Sequence, residues 1–446
     1  MKTRAIIMAA GKGTRMKSRT PKVLHELCGR PMIEHVLDAV RGAGADEIAA
    51  VVSDELRPAV EALGVACVVQ EPPNGTGHAM QLAMAALSES DGQVLVASGD
   101  MPLVPASLLR DVMSARSASG APAALVSARV SLPTNFGRIV RENGRVARIV
   151  ENVDASESER AIDEVNTGIY CFDERSLRDH LRRLKPDNKQ GELYLTDCIA
   201  SIVADKGLVE AVICRDARLV MGVNNRVELA AARAVMQRRI LDELMLSGVT
   251  IVDPSTTYVD AQVASGNDTV ILPNTHLRGK TRIGMGCVIG PDSMLDNAEV
   301  GDRAQIWYSI VRDSSIGAGV TVGPFAHIRM GAQIADDSRI GNFVELKKTI
   351  MGKGVKAHHL SYLGDAEIGA EANIGAGTIT CNWDGKNKNK TKIGRKAFIG
   401  SNSSLVAPVT IGDEALTGAG SVVIRDVQAG ERVAGNPAKP LKPKDK

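Results

Sequence analysis

Residues 310–346 read IVRDSSIGAGVTVGPFAHIRMGAQIADDSRIGNFVEL, and an aliphatic residue returns at every sixth position of this segment. The recurring residues are Ile310, Ile316, Val322, Ile328, Ile334, Ile340 and Leu346. Neither an α-helix nor an ordinary strand has a period of six, whereas a three-sided solenoid buries one aliphatic side chain on each flat side. The period therefore predicts a left-handed parallel β-helix in which residues about 18 apart stack on neighbouring coils.

The same period returns further along the chain, after two slips of phase. The second run comprises Ile393, Ile399, Leu405, Ile411, Thr417 and Val423. The slips predict extra residues within 347–367 and 381–392, and the second segment, rich in Asn, Lys and Gly, is typical of a protruding loop. Such irregularities are either tolerated insertions or the walls of a site.

The N-terminal half has a different pattern. Residues 1–225 alternate short apolar runs, such as Ala5 to Met8, with helical stretches, which predicts a doubly wound α/β sheet. A long amphipathic segment follows, so we expect three parts: 1–225, a linker helix over 226–248, and a β-helix over 249–446.

Composition narrows the class of protein. The net charge of +2 gives no reason to expect nucleic acid as a partner, and no apolar run is long enough to span a bilayer. The seven cysteines form no C-x-x-C pair, which favours a reducing cytoplasmic environment. The only charge run is the basic tail Lys439–Lys446.

A glycine-containing loop follows the first predicted strand. It comprises residues 9–16 (AAGKGTRM) and precedes Pro21-Lys22. Such a loop lets backbone N–H groups approach phosphates, and Arg15 and Lys22 add the cations that a triphosphate needs. The spacing fits neither a Walker P-loop nor a dinucleotide fingerprint.

The pair Asn143-Gly144 lies between two alternating segments and predicts a two-residue hairpin. That register places Gly137 nearly opposite Glu151, so the two ends of the hairpin meet at one place.

The β-helix carries polar side chains of its own. Arg329 and Lys347 follow inward residues and are 18 apart, so we expect them to point outward and stack, with Asp365 as the only acidic neighbour. They either splay into water or form an anion site, such as one for a sugar phosphate. His358-His359 lies in the first phase slip, where a histidine is either structural or a base for an amine.

Residues 9–22 resemble the sugar-nucleotidyltransferase signature, and residues 3–436 resemble a family of bifunctional bacterial enzymes. These combine N-acetylglucosamine-1-phosphate uridyltransferase with glucosamine-1-phosphate N-acetyltransferase. The segments that carry the resemblance are 70–77 (QEPPNGTG), 98–100 (SGD), 166–168 (NTG), 224–225 (NN), 364–369 (GDAEIG) and 373–382 (NIGAGTITCN).

The resemblance implies two successive reactions. Acetyl-CoA first acetylates glucosamine 1-phosphate, and UTP then donates its uridylyl group to N-acetylglucosamine 1-phosphate, with release of pyrophosphate. It also implies Mg²⁺, a cytoplasmic homotrimer without a membrane span or nucleic-acid partner, and a role in peptidoglycan synthesis, cell-wall biogenesis and cell shape.

The resemblance also assigns residues in the first half. The catalytic cations are Arg15 and Lys22, and the metal ligands are Asp100 and Asn224. Nucleotide-binding positions are Met8, Ala9, Ala10, Gly11, Lys22, Gln70, Gly75, Thr76, Ser98, Gly99 and Asp100. Sugar-phosphate positions are Gly137, Glu151, Asn166 and Asn224.

In the second half the resemblance makes His359 the general base. Glucosamine 1-phosphate would contact Arg329, Lys347, Tyr362 and Asn373, and acetyl-CoA would contact Ala376, Asn382, Trp383, Ser401, Ala419 and Asn436. Two residues depart from the family: Trp383 replaces a frequent tyrosine, and Asn436 replaces an arginine of some members. The second departure bears on how the coenzyme phosphates are held, and the basic tail is one substitute.

Two other functions fit the two-part organisation. A single-activity sugar-nucleotide pyrophosphorylase with a regulatory β-helix would lack a base and a cation pair in the solenoid. A non-catalytic regulatory subunit can lose the Gly-x-Gly-Thr-Arg and Pro-Lys residues. This chain contains both the base and cation pair of the solenoid and the Gly-x-Gly-Thr-Arg and Pro-Lys residues of the first half, which favours the bifunctional hypothesis.

Overall fold

The computed structural model describes residues 1–441, and the chain divides into two compact units. The first is Met1–Met236 and the second begins at Gln237, so the division falls inside one helix. Predictions that concern residues 442–446, including most of the basic tail, lie outside the described residues.

The first unit is built on a mostly parallel sheet with strand order β11-β7-β10-β6-β1-β4-β5. Its strands are β1 Thr3–Met8, β2 Glu26–Leu27, β3 Arg30–Pro31, β4 Glu47–Val52, β5 Ala66–Val69, β6 Gln93–Ser98, β7 Ala123–Arg129, β8 Arg138–Glu142, β9 Arg145–Val150, β10 Glu164–Asp173 and β11 Val209–Cys214. Strand β10 runs antiparallel to β6 and β7, and the small pair β2–β3 stands apart from the main sheet. The predicted α/β fold is confirmed, with β10 reversed in this strand order and the β8–β9 hairpin attached to β10 through β8.

Helices cover both faces of this sheet, because its strands are buried apolar runs on either side. The helices of this unit are α1 Met32–Gly42, α2 Arg57–Glu61, α3 Thr76–Ala86, α4 Ala106–Ser119, α5 Glu157–Arg160, α6 Glu174–Leu181 and α7 Asp197–Ala204, and α8 Arg226–Leu246 follows them in the chain. Parallel β1, β4, β5 and β6 end at the same edge, where α/β sheets hold their ligands.

The predicted hairpin is present. Strands β8 and β9 pair with Glu142 opposite Arg145, so Asn143 and Gly144 form the two-residue turn, and both have positive φ. Arg138 lies opposite Val150, which places Gly137 beside Glu151 as expected.

Helix α8 covers most of the predicted linker. Leu229, Ala232 and Met236 are buried in its first half, and Leu241 and Leu244 belong to the core of the second unit. The domain boundaries given above stay predictions.

From residue 250 to residue 441 the chain forms a left-handed parallel β-helix of three sheets, here called the first, second and third faces. First-face strands are Thr250–Ile251, Val270–Ile271, Val288–Ile289, Gln305–Ile306, Thr321–Val322, Arg339–Asn342, Lys356–His359, Asn373–Ile374, Phe398–Ile399, Leu416–Thr417, Arg432–Ala434 and the antiparallel Lys439–Pro440. Second-face strands are Tyr258–Val259, His276–Arg278, Met294–Asp296, Ile310–Arg312, His327–Arg329, Glu345–Lys347, Tyr362–Gly364, Ile379–Cys381, Ser404–Val406 and Val422–Val423. Third-face strands are Ala264–Ser265, Arg282–Ile283, Glu299–Val300, Ser315–Ile316, Gln333–Ile334, Ile350–Met351, Ala366–Ile368, Thr391–Ile393 and Val409–Ile411.

One residue that the six-residue period predicts to point inward does not do so. Ile310 is 40% exposed and its neighbour Val311 is fully buried. The side between Val311 and Ile316 has one residue fewer than the regular side, so counting back in sixes from Ile316 reaches the wrong residue.

The same effect explains the first phase slip. The sides from Leu346 to Met351 and from Leu363 to Ile368 each have one residue fewer than the regular six. The prediction of extra residues within 347–367 is therefore wrong, because the coil has fewer residues there than a regular coil. The insertion predicted within 381–392 is confirmed, since a loop over 382–390 separates Ile379–Cys381 from Thr391–Ile393.

Within the described part of the chain, no helix is both long enough and apolar enough to cross a membrane.

Candidate active sites

The first unit contains a cavity of about 680 Å³ at the carboxyl ends of β1, β5 and β6. The predicted residues that line it are Met8, Ala9, Ala10, Gly11, Arg15, Lys22, Gln70, Gly75, Thr76, Ser98, Asp100 and Glu151. Gly99, Gly137, Asn166 and Asn224 are not part of this lining. Most of the residues predicted for nucleotide binding are thus brought to one cavity.

Lys22 reaches the cavity because the preceding loop folds tightly on itself. Gly13 has a left-handed φ of 59°, and a Cβ at this position would lie 2.6 Å from Cβ of Lys22. Only glycine accommodates both the conformation and the close approach. The loop therefore needs Gly13 to hold Lys22 against the glycine turn.

The side chains of Asp100 and Asn224 contact the two cations of the cavity lining, Lys22 and Arg15. Lys22 Nζ pairs with the carboxylate of Asp100, and Asn224 Oδ1 accepts from Lys22 at 3.2 Å and from Arg15 at 3.0 Å. Ser98 Oγ donates to the second oxygen of Asp100 at 2.7 Å. One carboxylate and one amide oxygen aimed at the same cation form a hard donor set, and Mg²⁺ typically takes few protein ligands and keeps waters and phosphates. Residues 1–441 contain no cluster of three or more His, Cys, Asp or Glu side chains suited to a metal.

The other end of the cavity is formed by the base of the β8–β9 hairpin. Glu151 Oε2 lies 3.3 Å from the point that a Cβ on Gly137 would occupy. The carbonyl of Gly137 accepts from the backbone N–H of Asn166, whose side chain donates to Tyr170 Oη at 2.7 Å. Burial raises the pKa of Glu151, and the nearby Asp197 and Asp154 add to the effect. The predicted sugar positions 137, 151 and 166 are therefore neighbours.

Sequence analysis missed several residues of this cavity: Asn135, Asn152, Val153, Gln190, Glu192 and Tyr194. The hairpin register would have found Asn135 and Asn152, because they flank Gly137 and Glu151. The segment 190–194 carries no such signal, since only tertiary packing brings it to the cavity.

On the second face of the β-helix, Arg329 and Lys347 are register partners on adjacent strands, as predicted. Asp365 is not their only acidic neighbour, however, because Arg329 Nε donates to Glu345 at 2.9 Å. Residues two apart on a strand share a face, so Glu345 lies within reach of the long arginine side chain. The side chain of Lys347 is buried, and its Nζ lies 4.0 Å from Asp365 Oδ2.

A further cation, Lys388, lies against Lys347 and was not predicted. It belongs to the 382–390 loop, and its ammonium is the main cause that lowers the pKa of Lys347, ahead of burial. Two ammonium groups held together with Arg329 nearby form a local excess of positive charge. The loop thus completes a site suited to a phosphate group.

Tyr362 lies along the same face, above Gly364. A Cβ on Gly364 would overlap the phenol ring, so glycine is required for this side chain position. Asn382 Nδ2 donates to Asp365 at 2.5 Å and lies 3.4 Å from Tyr362 Oη. The structure therefore groups Tyr362 and Asn382 with Lys347.

The corner between the first and second faces holds a column of residues, all of them predicted site residues except Asn342. Asn342 pairs with His359, and the carbonyl of His359 accepts from Gly377 N, next to Ala376. Asn402 N then donates to the carbonyl of Ala376, and Gly420 N donates to that of Ser401. The members in order are Asn342, His359, Ala376, Ser401 and Ala419, hereafter the corner column.

His359 is oriented by the first member of this column. Its Nδ1 lies 2.7 Å from Asn342 Oδ1, an atom that only accepts hydrogen bonds. This contact selects the tautomer of the neutral imidazole in which Nδ1 carries the hydrogen and Nε2 presents a lone pair.

Three predicted contacts lie apart from these groups. Asn373 is on the first face, aligned with Lys356 and Phe398. Trp383 is 56% exposed on the loop, and Asn436 lies in a turn after Arg432–Ala434.

Two family models match separate parts of the chain. A family model described as MobA-like NTP transferase domain matches residues 5–197, and one described as bacterial transferase hexapeptide (six repeats) matches residues 390–425. Curated relatives cover nearly the whole chain. "Bifunctional protein GlmU" of Trichlorobacter lovleyi is 48% identical over 95% of this chain and 93% of its own length. Proteins of the same name from Geobacillus sp. (strain WCH70) and Geobacillus thermodenitrificans are 47% and 48% identical over 96% of this chain and 94% of theirs.

Proposed function

The chain belongs to the family of bifunctional GlmU proteins and makes UDP-N-acetylglucosamine, and we propose that its two units divide the two reactions between the sites described above. The first unit transfers the uridylyl group, and the β-helix transfers the acetyl group. The observation that carries this proposal is the presence of two separate groups of cations, one in the cavity of the first unit and one on the second face. A regulatory β-helix would need neither the cations nor the oriented histidine.

In the β-helix, we propose that His359 acts as the general base for the amine of glucosamine 1-phosphate. Nε2 takes the proton, the amine nitrogen attacks the thioester carbonyl, and the carbon–sulfur bond breaks to release coenzyme A. Arg329, Lys347 and Lys388 hold the phosphate, and Tyr362 contacts the sugar. Asn373 would be a further sugar contact from the first face, apart from this group. The corner column supports this proposal, because its small members provide a path for the pantetheine arm that ends at His359.

In the first unit, we propose that a phosphate oxygen of N-acetylglucosamine 1-phosphate attacks the α-phosphorus of UTP. The bond from that phosphorus to the β-phosphate oxygen breaks, and pyrophosphate leaves. Such transfer depends on position and charge neutralisation, so no general base is needed. Lys22 exchanges Asp100 for a phosphate oxygen when the nucleotide binds, and Arg15 neutralises the leaving group.

We further propose that Asp100 and Asn224 hold Mg²⁺, since their oxygens already converge on the ammonium of Lys22. Bound Mg²⁺ would neutralise charge on the phosphate oxygens. Glu151, with Gly137 and Asn166, would contact the sugar.

The assembly and location are proposals of the same kind. We propose a homotrimer, supported by the hexapeptide-repeat match and by a row of exposed aromatic side chains on the β-helix. We also propose a cytoplasmic location, which the pattern of the seven cysteines supports.

The test is a product assay with UTP, Mg²⁺, acetyl-CoA and glucosamine 1-phosphate. His359→Ala should abolish acetyl transfer and leave uridylyl transfer intact, and Asp100→Ala should do the reverse. Loss of both activities in either folded variant would overturn the division between two sites. Absence of UDP-N-acetylglucosamine with the unaltered protein would overturn the residue assignments as a whole.

A further inference from the structure

Asn224 is one of the two proposed metal ligands, and its side chain amide has a defined orientation. Oδ1 accepts from Arg15 and Lys22, while Nδ2 donates to the carbonyl of Gly222 and to Glu228 Oε2, each at 3.3 Å. Rotation of the amide by half a turn would aim its N–H groups at two cations and its oxygen at a carboxylate. The surroundings therefore select the orientation in which the oxygen faces the metal position.

Glu228 is the one carboxylate among the groups of the described residues that contact this amide. Its Oε2 accepts from the backbone N–H of Asn224 at 2.7 Å as well as from Nδ2, and its Oε1 accepts from Asn225 Nδ2 at 2.6 Å. Both carboxylate oxygens are thus occupied by donors from the two residues before α8. A neutral amide cannot replace the carboxylate, because one of its two atoms would direct N–H groups at another donor.

Glu228 also lies in the first turn of α8, which gives it a rigid position. Asn225 Oδ1 accepts from Val227 N and Glu228 N at 2.9 Å, so Asn225 caps the helix. The negative charge of Glu228 is favourable at this helix end.

We propose that Glu228 is a positioning residue for uridylyl transfer, which fixes the amide of Asn224 so that its oxygen binds the divalent cation. This inference rests on the proposed function, since it assumes that Asp100 and Asn224 hold the metal. Groups that orient metal ligands typically change metal affinity about 10- to 100-fold when they are altered.

The test uses Glu228→Gln, because glutamine is also accepted at this position of a helix N-terminus and should preserve α8. We expect the Mg²⁺ concentration for half-maximal uridylyl transfer to rise about tenfold. Binding of Mn²⁺ in the presence of UTP, followed by electron paramagnetic resonance, should weaken by a similar factor. Acetyl transfer by the same preparation should not change, which reports that the chain is folded.

Glu243→Gln is the matched control, since Glu243 is an exposed glutamate of the same helix. Its Mg²⁺ dependence should equal that of the unaltered protein. Unchanged Mn²⁺ binding in Glu228→Gln would overturn the positioning role, and so would a lower turnover at saturating Mg²⁺ with no change in metal dependence. Asp100→Asn separates the two levels of inference. If this variant also binds Mn²⁺ normally, the proposed metal site itself is wrong, whereas if only Glu228→Gln binds normally, the positioning role alone is wrong.

Discussion

At the scale of single residues, two side chains of the proposed sites lie against backbone positions that leave no room for a Cβ. Gly13 and Gly364 are examples, because each permits a neighbouring functional side chain to lie flat against the backbone. Neither residue would contact a substrate through a side chain of its own. Their contribution is to place Lys22 and Tyr362.

Gly13→Ala should lower uridylyl transfer at least tenfold. The added Cβ meets Lys22 at 2.6 Å, and it adds the strain of a left-handed φ, about 1–2 kcal/mol. The measurement is kcat/KM for UTP together with thermal unfolding. Gly120→Ala provides the control, because Gly120 has a φ of 64° and no atom near its potential Cβ. Equal loss of activity in both variants would show that strain, and not Lys22, explains the effect.

Glu151→Gln should weaken sugar-phosphate binding and stabilise the protein at neutral pH. Burial raises the pKa of Glu151, so the folded state binds this proton more tightly than the unfolded state. Stability from this group is then lost as the pH rises from the ordinary glutamate range through the raised pKa. Glutamine removes that loss, and the difference in unfolding midpoint between the two proteins should vanish in acid. A midpoint difference that grows as the pH falls would contradict this assignment.

At the scale of elements, the regular coils of the β-helix stack Arg329 on Lys347, and the irregular 382–390 loop adds Lys388 to them. The six-residue period predicted the solenoid and the pairing of Arg329 with Lys347, because stacking follows directly from spacing. It placed Ile310 inward wrongly, since a side shortened by one residue is invisible without a neighbouring coil for comparison. Glu345 was predictable from strand geometry. Lys388 was not, because no spacing rule says where a loop folds back.

Deletion of residues 383–389 should abolish acetyl transfer and preserve the β-helix. It restores the regular spacing between Thr380 and Ile393, both fully or nearly fully buried, and removes Lys388 and Trp383. The measurements are far-UV circular dichroism, thermal unfolding and both activities. Retention of acetyl transfer would show that the loop is a tolerated insertion. Loss of uridylyl transfer as well would indicate a general folding defect.

At the scale of the whole molecule, one row of exposed side chains supports self-association. Phe325 is 56% exposed. Its ring centroid lies 5.4 Å from that of Phe343, on which it stacks, and 5.8 Å from that of Tyr308. All three have positive φ, which is costly for bulky residues, and large exposed apolar patches usually mark an interface. A second copy of the chain is the partner that the proposed trimer requires.

Phe325→Asp should convert the proposed trimer to single chains and reduce acetyl transfer. Aspartate tolerates a left-handed φ better than phenylalanine, so the single chain should remain folded. Sedimentation velocity measures the mass, and uridylyl transfer should persist. Val252→Asp, at another exposed apolar position of the β-helix, should stay trimeric. A Phe325→Asp protein with the mass of the unaltered protein would contradict this interface.

The corner column has a thermodynamic consequence. A solenoid is held together coil by coil through nearest neighbours only, so its terminal turns fray more readily than its middle. The three faces end at different points of the chain. The last strand of the third face is Val409–Ile411 and that of the second face is Val422–Val423, whereas the first face continues through Arg432–Ala434. Ser401 and Ala419 lie in these last turns, whereas His359 lies further inside. A coenzyme bound along the column would therefore add its binding free energy to the part of the solenoid that is ordered most weakly without it.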